Sequence, residues 1–233
     1  MKEILVKNVF AGALIAVGLC FGGYFIYKGF SSYASKDRAV SVKGLSTREV
    51  EADHAVWPLS YAASGNDLPA LYVYLEQMSA RVRRHLLSLG FDNDDISQGS
   101  ISVSNNWDSY YGDHRPDYKY TLSTSLIIST DDVQRVVKSQ GKESELLKEG
   151  IIVTSNSWNL DYQYNGLPEL KPSMIEEATR NARTVAQKFA EDAQCRLGSI
   201  RRASQGQFSI ENDEYQPWVK HVRVVTTVDY FLE

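Results

Sequence analysis

Hydrophobic and polar positions along this chain change rhythm twice, and each change marks a different kind of segment. From Asn8 to Tyr27 no side chain is charged, and Val9 to Ile26 is apolar or Gly throughout. That run of about 18 residues spans ~27 Å as a helix, close to the thickness of a bilayer's hydrocarbon core. Lys2 and Lys7 precede it, and Tyr24, Phe25, Tyr27 and Lys28 close it with an aromatic and basic collar suited to a membrane interface. A cleaved signal peptide is the alternative, since Ser32 and Ala34 offer small residues for a cleavage site, but the apolar run exceeds the usual length for one. Residues 1–30 are therefore read as an anchor, and the short polar stretch 31–37 as a linker.

Beyond the linker the pattern alternates. Val40 and Val42 between Ser41 and Lys43 predict a strand that ends at Gly44, and Trp57, Leu59 and Tyr61 predict a second from Glu49 to Ala63. Pro58 lacks a donor and points to an edge or a bulge there. Leu71, Leu75, Met78, Val82, Leu86 and Leu89 then recur at steps of three and four, predicting a helix from Leu68 to Leu89. Asn66 or Asp67 caps its start, Pro69 suits its first turn, and Gly90 fits its end. Alternation around Ile101 and Val103 predicts a half-buried strand paired with Tyr118 to Ser129, which carries Tyr120, Leu122, Leu126 and Ile128 on one face. The two make a hairpin with a long aromatic tip.

Asp131 and Asp132 open a short helix carrying Val133, Val136 and Val137, where negative charge suits the N-terminus. A strand from Ile151 to Tyr164 follows, with Trp158, Leu160, Tyr162 and Tyr164 in phase. After Pro172, Ser173 and Glu176 form a capping box, and Ile175, Ala178, Ala182, Val185, Ala186, Phe189 and Ala193 make one apolar stripe in a helix ending at Gly198. Strands Ile200 to Phe208 and Val219 to Leu232 finish the chain. The order predicts an α+β fold over residues 38–233, an antiparallel β-sheet packed with two long and one short α-helix, preceded by one N-terminal transmembrane helix.

Composition narrows the function classes. With 43% hydrophobic and 23% charged residues the folded part has enough apolar material for a core. A net charge of -4 and a pI near 5.6 leave no clustered basic excess for nucleic acid. Arg81, Arg83, Arg84 and His85 read as a solvated helix face. Cys20 lies in the apolar run and Cys195 far from it, so no disulfide scaffold is expected. Lys2 and Lys7 face Lys28, Lys36 and Arg38 across the anchor, nearly balancing the charges that set orientation.

Candidate chemistry is sparse. His54, His85, His114 and His221 sit on different elements without metal-ligand spacing, and Asp92-Asn93-Asp94-Asp95 lacks the Gly a calcium loop needs at its turn. There is no nucleophile elbow, phosphate loop or dinucleotide fingerprint, and nothing in the spacing links a Ser, a His and an Asp. No catalytic residue, metal or cofactor is expected, and the chain is read as a non-enzyme. Cys195 beside Arg196 is a small hydrophobe closing the stripe, with a reactive thiol as the alternative. The segment richest in contact chemistry is the hairpin tip, where Trp107, Tyr110, Tyr111, Arg115, Tyr118 and Tyr120 have the composition of protein interfaces. Their bland role is to cover the domain's own sheet.

Several segments together resemble the SIMPL-domain family of bacterial envelope proteins: Val40-Ser41-Val42-Lys43-Gly44, the segment LLSLGFDNDDI ending at Ile96, the strand Ile101-Ser102-Val103, and EATRNARTVAQKFAEDAQCRLGSI from Glu177 to Ile200. The resemblance covers roughly Arg38 to Glu233. It implies export and breaks the charge tie, placing a single-pass anchor in the inner (cytoplasmic) membrane with the C-terminal domain in the periplasm. Family members include outer-membrane-associated antigens, some forming large homo-oligomers, and proteins linked to oxidative-stress tolerance; no biochemical activity is common to them and no functional residue carries over. The sequence departs from the pattern at Leu45-Ser46, where a second Gly is usual, and at Glu51-Ala52-Asp53-His54, which replaces Pro-Asp. The expectation is a tethered domain acting by protein contacts or self-assembly in envelope maintenance or stress tolerance. Its partners are the membrane, an envelope protein or a second copy, without nucleic acid; a periplasmic small-molecule or lipid-binding module is the alternative.

Overall fold

The computed structural model describes residues 18–28, 38–108, 115–154 and 160–233. Residues 18–28 are helical. Among the described residues no helix is long and apolar enough to cross a membrane. Most of the expected anchor and the whole 31–37 linker lie outside the described residues.

The elements in chain order are β1 (Ala39–Glu51), β2 (His54–Gly65), α1 (Leu68–Ser88), β3 (Ile96–Gln98), β4 (Ser102–Asn105), β5 (Tyr120–Thr130), α2 (Val133–Ser139), a 3-10 helix (Lys142–Glu149), β6 (Val153–Thr154), β7 (Asp161–Gln163), α3 (Leu167–Asp192), β8 (Leu197–Gln205), β9 (Ser209–Asn212) and β10 (Val219–Leu232). The α+β class and antiparallel pairing hold, but the strands form two sheets instead of one. One has the order β1-β10-β8 with β9 on β10; the other has β3-β5-β2-β6 with β4 on β5 and β7 on β2. By contacts the chain divides into two compact units. Unit 1 holds the described residues up to Arg48 with Lys171–Ser209 and Arg223–Glu233, and unit 2 holds Glu49–Leu170 and Ile210–Val222.

Unit 2 is built on the β2–β5 ladder, in register from Ala55 opposite Thr130 to Gly65 opposite Tyr120. Alternation sends Ala55, Trp57, Leu59, Tyr61, Leu122, Leu126 and Ile128 to one face, where they meet Leu71, Leu75, Met78, Val82 and Leu86 of α1 in one core. Burying each large side chain of this kind contributes about 1.5–3 kcal/mol. Helix α1 starts where expected, the Asp67 side chain accepting the Ala70 N–H at 3.3 Å. Pro58 lies between the β7 pairing at His54–Val56 and the β6 pairing at Ser60 and Tyr61, so β2 is central and its missing donor falls between two short partners. The described parts of the expected strand from Ile151 are β6 and β7, and Trp158 lies outside the described residues. The 3-10 helix has no counterpart in the sequence reading; Gly141 and Gly150 bound it at φ 85° and 73°, and its Leu146 joins the core. Strand β4 is more exposed than half-buried, with Val103 open to solvent.

Unit 1 packs α3 on β1 and β10 through Val42, Ala182, Ala186, Val228 and Tyr230. Gly44 is not a strand end; β1 continues through it to Glu51. A Cβ at Gly44 would collide with the Ala178 carbonyl and come within 2.6 Å of the Ala182 nitrogen, so helix and strand backbones touch there. That contact selects the buried face of α3. Met174, Ala178, Ala182, Ala186 and Ala190 are buried, whereas Val185 and Phe189 of the expected stripe are 39% and 57% exposed. At Gly44 only small side chains, those of Ala178 and Ala182, fit beneath a helix that lies directly on a strand.

Helix α3 also starts earlier than expected, at Leu167, with Pro172 inside it. Just before it, within unit 2, the Asp53 carboxylate accepts the backbone N–H groups of Asn165 at 2.8 Å and Gly166 at 2.9 Å. The helix ends at Asp192, ahead of Gly198: Gln194 takes a left-handed φ of 54°, and the Cys195 N–H donates to the Ala190 carbonyl at 2.9 Å. Strand β8 then pairs, among the described residues, only with β10, and is exposed from Ser199 to Gln205.

Candidate functional site

The hairpin tip rises from β4 and β5, whose pairing runs from Ser102 opposite Ser123 to Asn105 opposite Tyr120. Short polar side chains tie it down. Asn106 Nδ2 donates to the Tyr118 carbonyl at 3.1 Å and to Thr121 Oγ1 at 2.9 Å, while the Lys119 N–H donates to Asn66 Oδ1 at 2.8 Å. Trp107 Nε1–H donates to the Pro116 carbonyl at 3.1 Å, which fixes the indole plane. Arg115 places its guanidinium 3.8 Å from the centre of that ring, and Lys119 Nζ lies 5.3 Å from it and 4.9 Å from the ring of Tyr120. A cation this close to an aromatic face is held by the ring's quadrupole. Four of the six expected contact residues are thus described. Trp107 and Arg115 stack, Tyr118 stands exposed, and Tyr120 turns back against the core of unit 2. Tyr110 and Tyr111 lie outside the described residues.

Across unit 1 the segments that carried the family resemblance touch one another. Asn181 Nδ2 donates to the Leu45 carbonyl at 2.8 Å, and the Glu177 carboxylate accepts from Ser46 Oγ and Arg48, each at 2.9 Å. Ser46 is buried, so the departure from a second Gly has a partner of its own. The family model of SIMPL, described as a protein of unknown function (DUF541), matches residues 40–225. The chain belongs to the SIMPL family. No curated protein matches it. The matched span includes both the tip of this SIMPL protein and the Gly44 contact, and it assigns neither a role.

Elsewhere in the SIMPL domain the structure makes one link that spacing did not reveal. His54 Nδ1 lies 2.8 Å from Asp131 Oδ1, and His54 Nε2 lies 3.0 Å from Ser129 Oγ. His54 comes from β2, Ser129 from the end of β5 and Asp131 from the residue after it, more than 70 positions from His54 in sequence, and only the β2–β5 register signals the arrangement. His221 Nε2 meets Asp213 Oδ2 at 3.2 Å; the Gln216 and Tyr215 amides, with His221, hold that carboxyl below the usual range. Burial pushes Lys220 below the usual lysine range, against the opposing pull of Asp161, and its Nζ donates to Asn212 Oδ1 at 2.5 Å. Cys195 is half-buried, its Sγ 3.5 Å from the Ala190 carbonyl. Among the described residues no group of three or more His, Cys, Asp or Glu is arranged to hold a metal. The Asp92–Asp95 run is the turn leading into β3, with the Asp95 N–H donating to the Asp92 carbonyl.

Proposed function

We propose that this SIMPL protein is anchored by its N-terminal helix in the inner membrane, presents its α+β domain to the periplasm, and works through protein contacts, self-assembly included, in envelope maintenance or oxidative-stress tolerance. One observation carries the reading. In the helix at 18–28 every large apolar side chain is uncovered, from Tyr24 at 57% to Leu19 and Tyr27 at 72% exposure. The uncharged sequence continues back from it to Asn8. A helix that is hydrophobic all round and has no protein cover is stable only in an apolar surrounding, and lipid supplies one. The tip supports the second half: an Arg–Trp stack and an exposed Tyr118 are the side chains that anchor interfaces.

Membranes washed with alkaline carbonate are expected to retain the full chain and to lose a form beginning at residue 38. Recovery of the full chain in the wash ends the reading. Protease added to spheroplasts is expected to digest the domain, which would survive if it faced the cytoplasm.

A further inference from the structure

We propose that Ser129 is a nucleophile that captures acyl groups from activated carboxylic esters, with His54 as its base and Asp131 orienting the imidazole. The claim goes beyond the tethering and contact reading and does not depend on it. Val56 pairs with Ser129 and Ala55 with Thr130, which brings His54 and Asp131 to the end of the ladder beside Ser129. These side chains belong to the sheet face opposite Trp57 and Leu59, away from the core. The order of contacts is that of an activated hydroxyl. Asp131 accepts the Nδ1–H at 2.8 Å, which leaves the Nε2 lone pair facing the Ser129 hydroxyl at 3.0 Å. Ser129 is exposed, and half-buried Val56 and Ile127 on the same face form an apolar floor on which a small acyl or aryl group can lie.

The step balances without any added reagent. Ser129 Oγ bonds to the ester carbonyl carbon, its proton passes to Nε2, the bond to the alcohol oxygen breaks, and the imidazolium returns the proton to the departing alcohol. Two features keep this a capture and not a rapid turnover. The Ser129 N–H is already spent on the Asp95 carbonyl at 2.9 Å, so it offers nothing to a tetrahedral oxyanion. A missing oxyanion donor costs about 10²–10³ in rate. The Asp131 side chain is 90% exposed, and its charge, screened by water, does little to stabilise the imidazolium. Activated esters, whose leaving groups need little help, are therefore the substrate class.

The test uses the full chain in detergent with p-nitrophenyl acetate, acid quenching and peptide mapping. One acetyl group is expected on Ser129. His54→Gln is expected to slow its formation by about 10²-fold or more, and Asp131→Asn by a smaller factor. Asp131 is so exposed that its substitution leaves the fold intact, which keeps the test decisive should the His54 variant misfold. Acetylation confined to lysines and tyrosines overturns the proposal. So does a Ser129 adduct whose rate is unchanged in Asp131→Asn.

Discussion

Tyr162 is a buried side chain whose hydroxyl has no partner among the described residues; its ring meets Trp218 edge-on at 6.3 Å between centroids. Burial pushes its pKa up to about 12 from 10.0. The sign follows from linkage: the unfolded chain gives up this proton first, so stability is full below pH 10 and is lost as pH rises towards about 12. Tyr162→Phe is expected to raise stability by about 1 kcal/mol in urea melts at neutral pH, because an unsatisfied buried hydroxyl is removed. The same change is expected to flatten the alkaline part of the profile. Gln194 at φ 54° occupies a backbone region that suits Gly better. Gln194→Gly is expected to stabilise by about 0.5–1 kcal/mol, read as an upward shift of the thermal midpoint. Single residues were the least legible scale in the sequence. Asp53 stood out as a departure from the family pattern, yet what it does is decided by two amides 112 and 113 positions away.

The meeting of α3 with β1 shows what periodicity can and cannot reveal. The spacing of apolar residues announces a helix but ranks Phe above Ala for burial, and the Gly44 contact reverses that ranking by leaving no room under the helix. Gly44→Ala is expected to cost about 1–3 kcal/mol or more, since the added methyl must push two backbones apart. Phe189→Gln, on the uncovered flank, is expected to change stability by less than about 0.5 kcal/mol. Equal losses from the two would mean that Phe189 is covered and that α3 does not lie directly on β1. Strong amphipathic elements such as α1 and β5 were legible because the face the pattern chose is the face the core uses. The 3-10 helix was not, because a single buried Leu146 between two glycines leaves no periodic signal. At the tip, composition singled out Trp107 and Arg115 as contact residues, while their stacking on each other and the inward turn of Tyr120 depend on the ladder behind them.

At the scale of the molecule, the chain passes between its two units at 48/49, 170/171, 209/210 and 222/223, so neither unit is a continuous piece. Residues 49–170 expressed alone would lack Trp218, whose carbonyl accepts the Ala52 N–H at 2.7 Å and whose ring covers Tyr162. That fragment is expected to be digested by trace protease under conditions in which 38–233 survives. The sequence supported the α+β class but not this interleaving, since unit membership is set by contacts between distant segments. Strand β8 carries a last consequence. Its outer rim of amides and carbonyls meets no strand among the described residues, and it is exposed from Ser199 to Gln205, which is the template on which stray chains stack into insoluble ribbons. Arg202 stands midway along that rim, where like charge on successive copies would oppose propagation. Replacing Arg202 with Thr would turn a quiet border into a seed, visible as turbidity that grows with protein concentration.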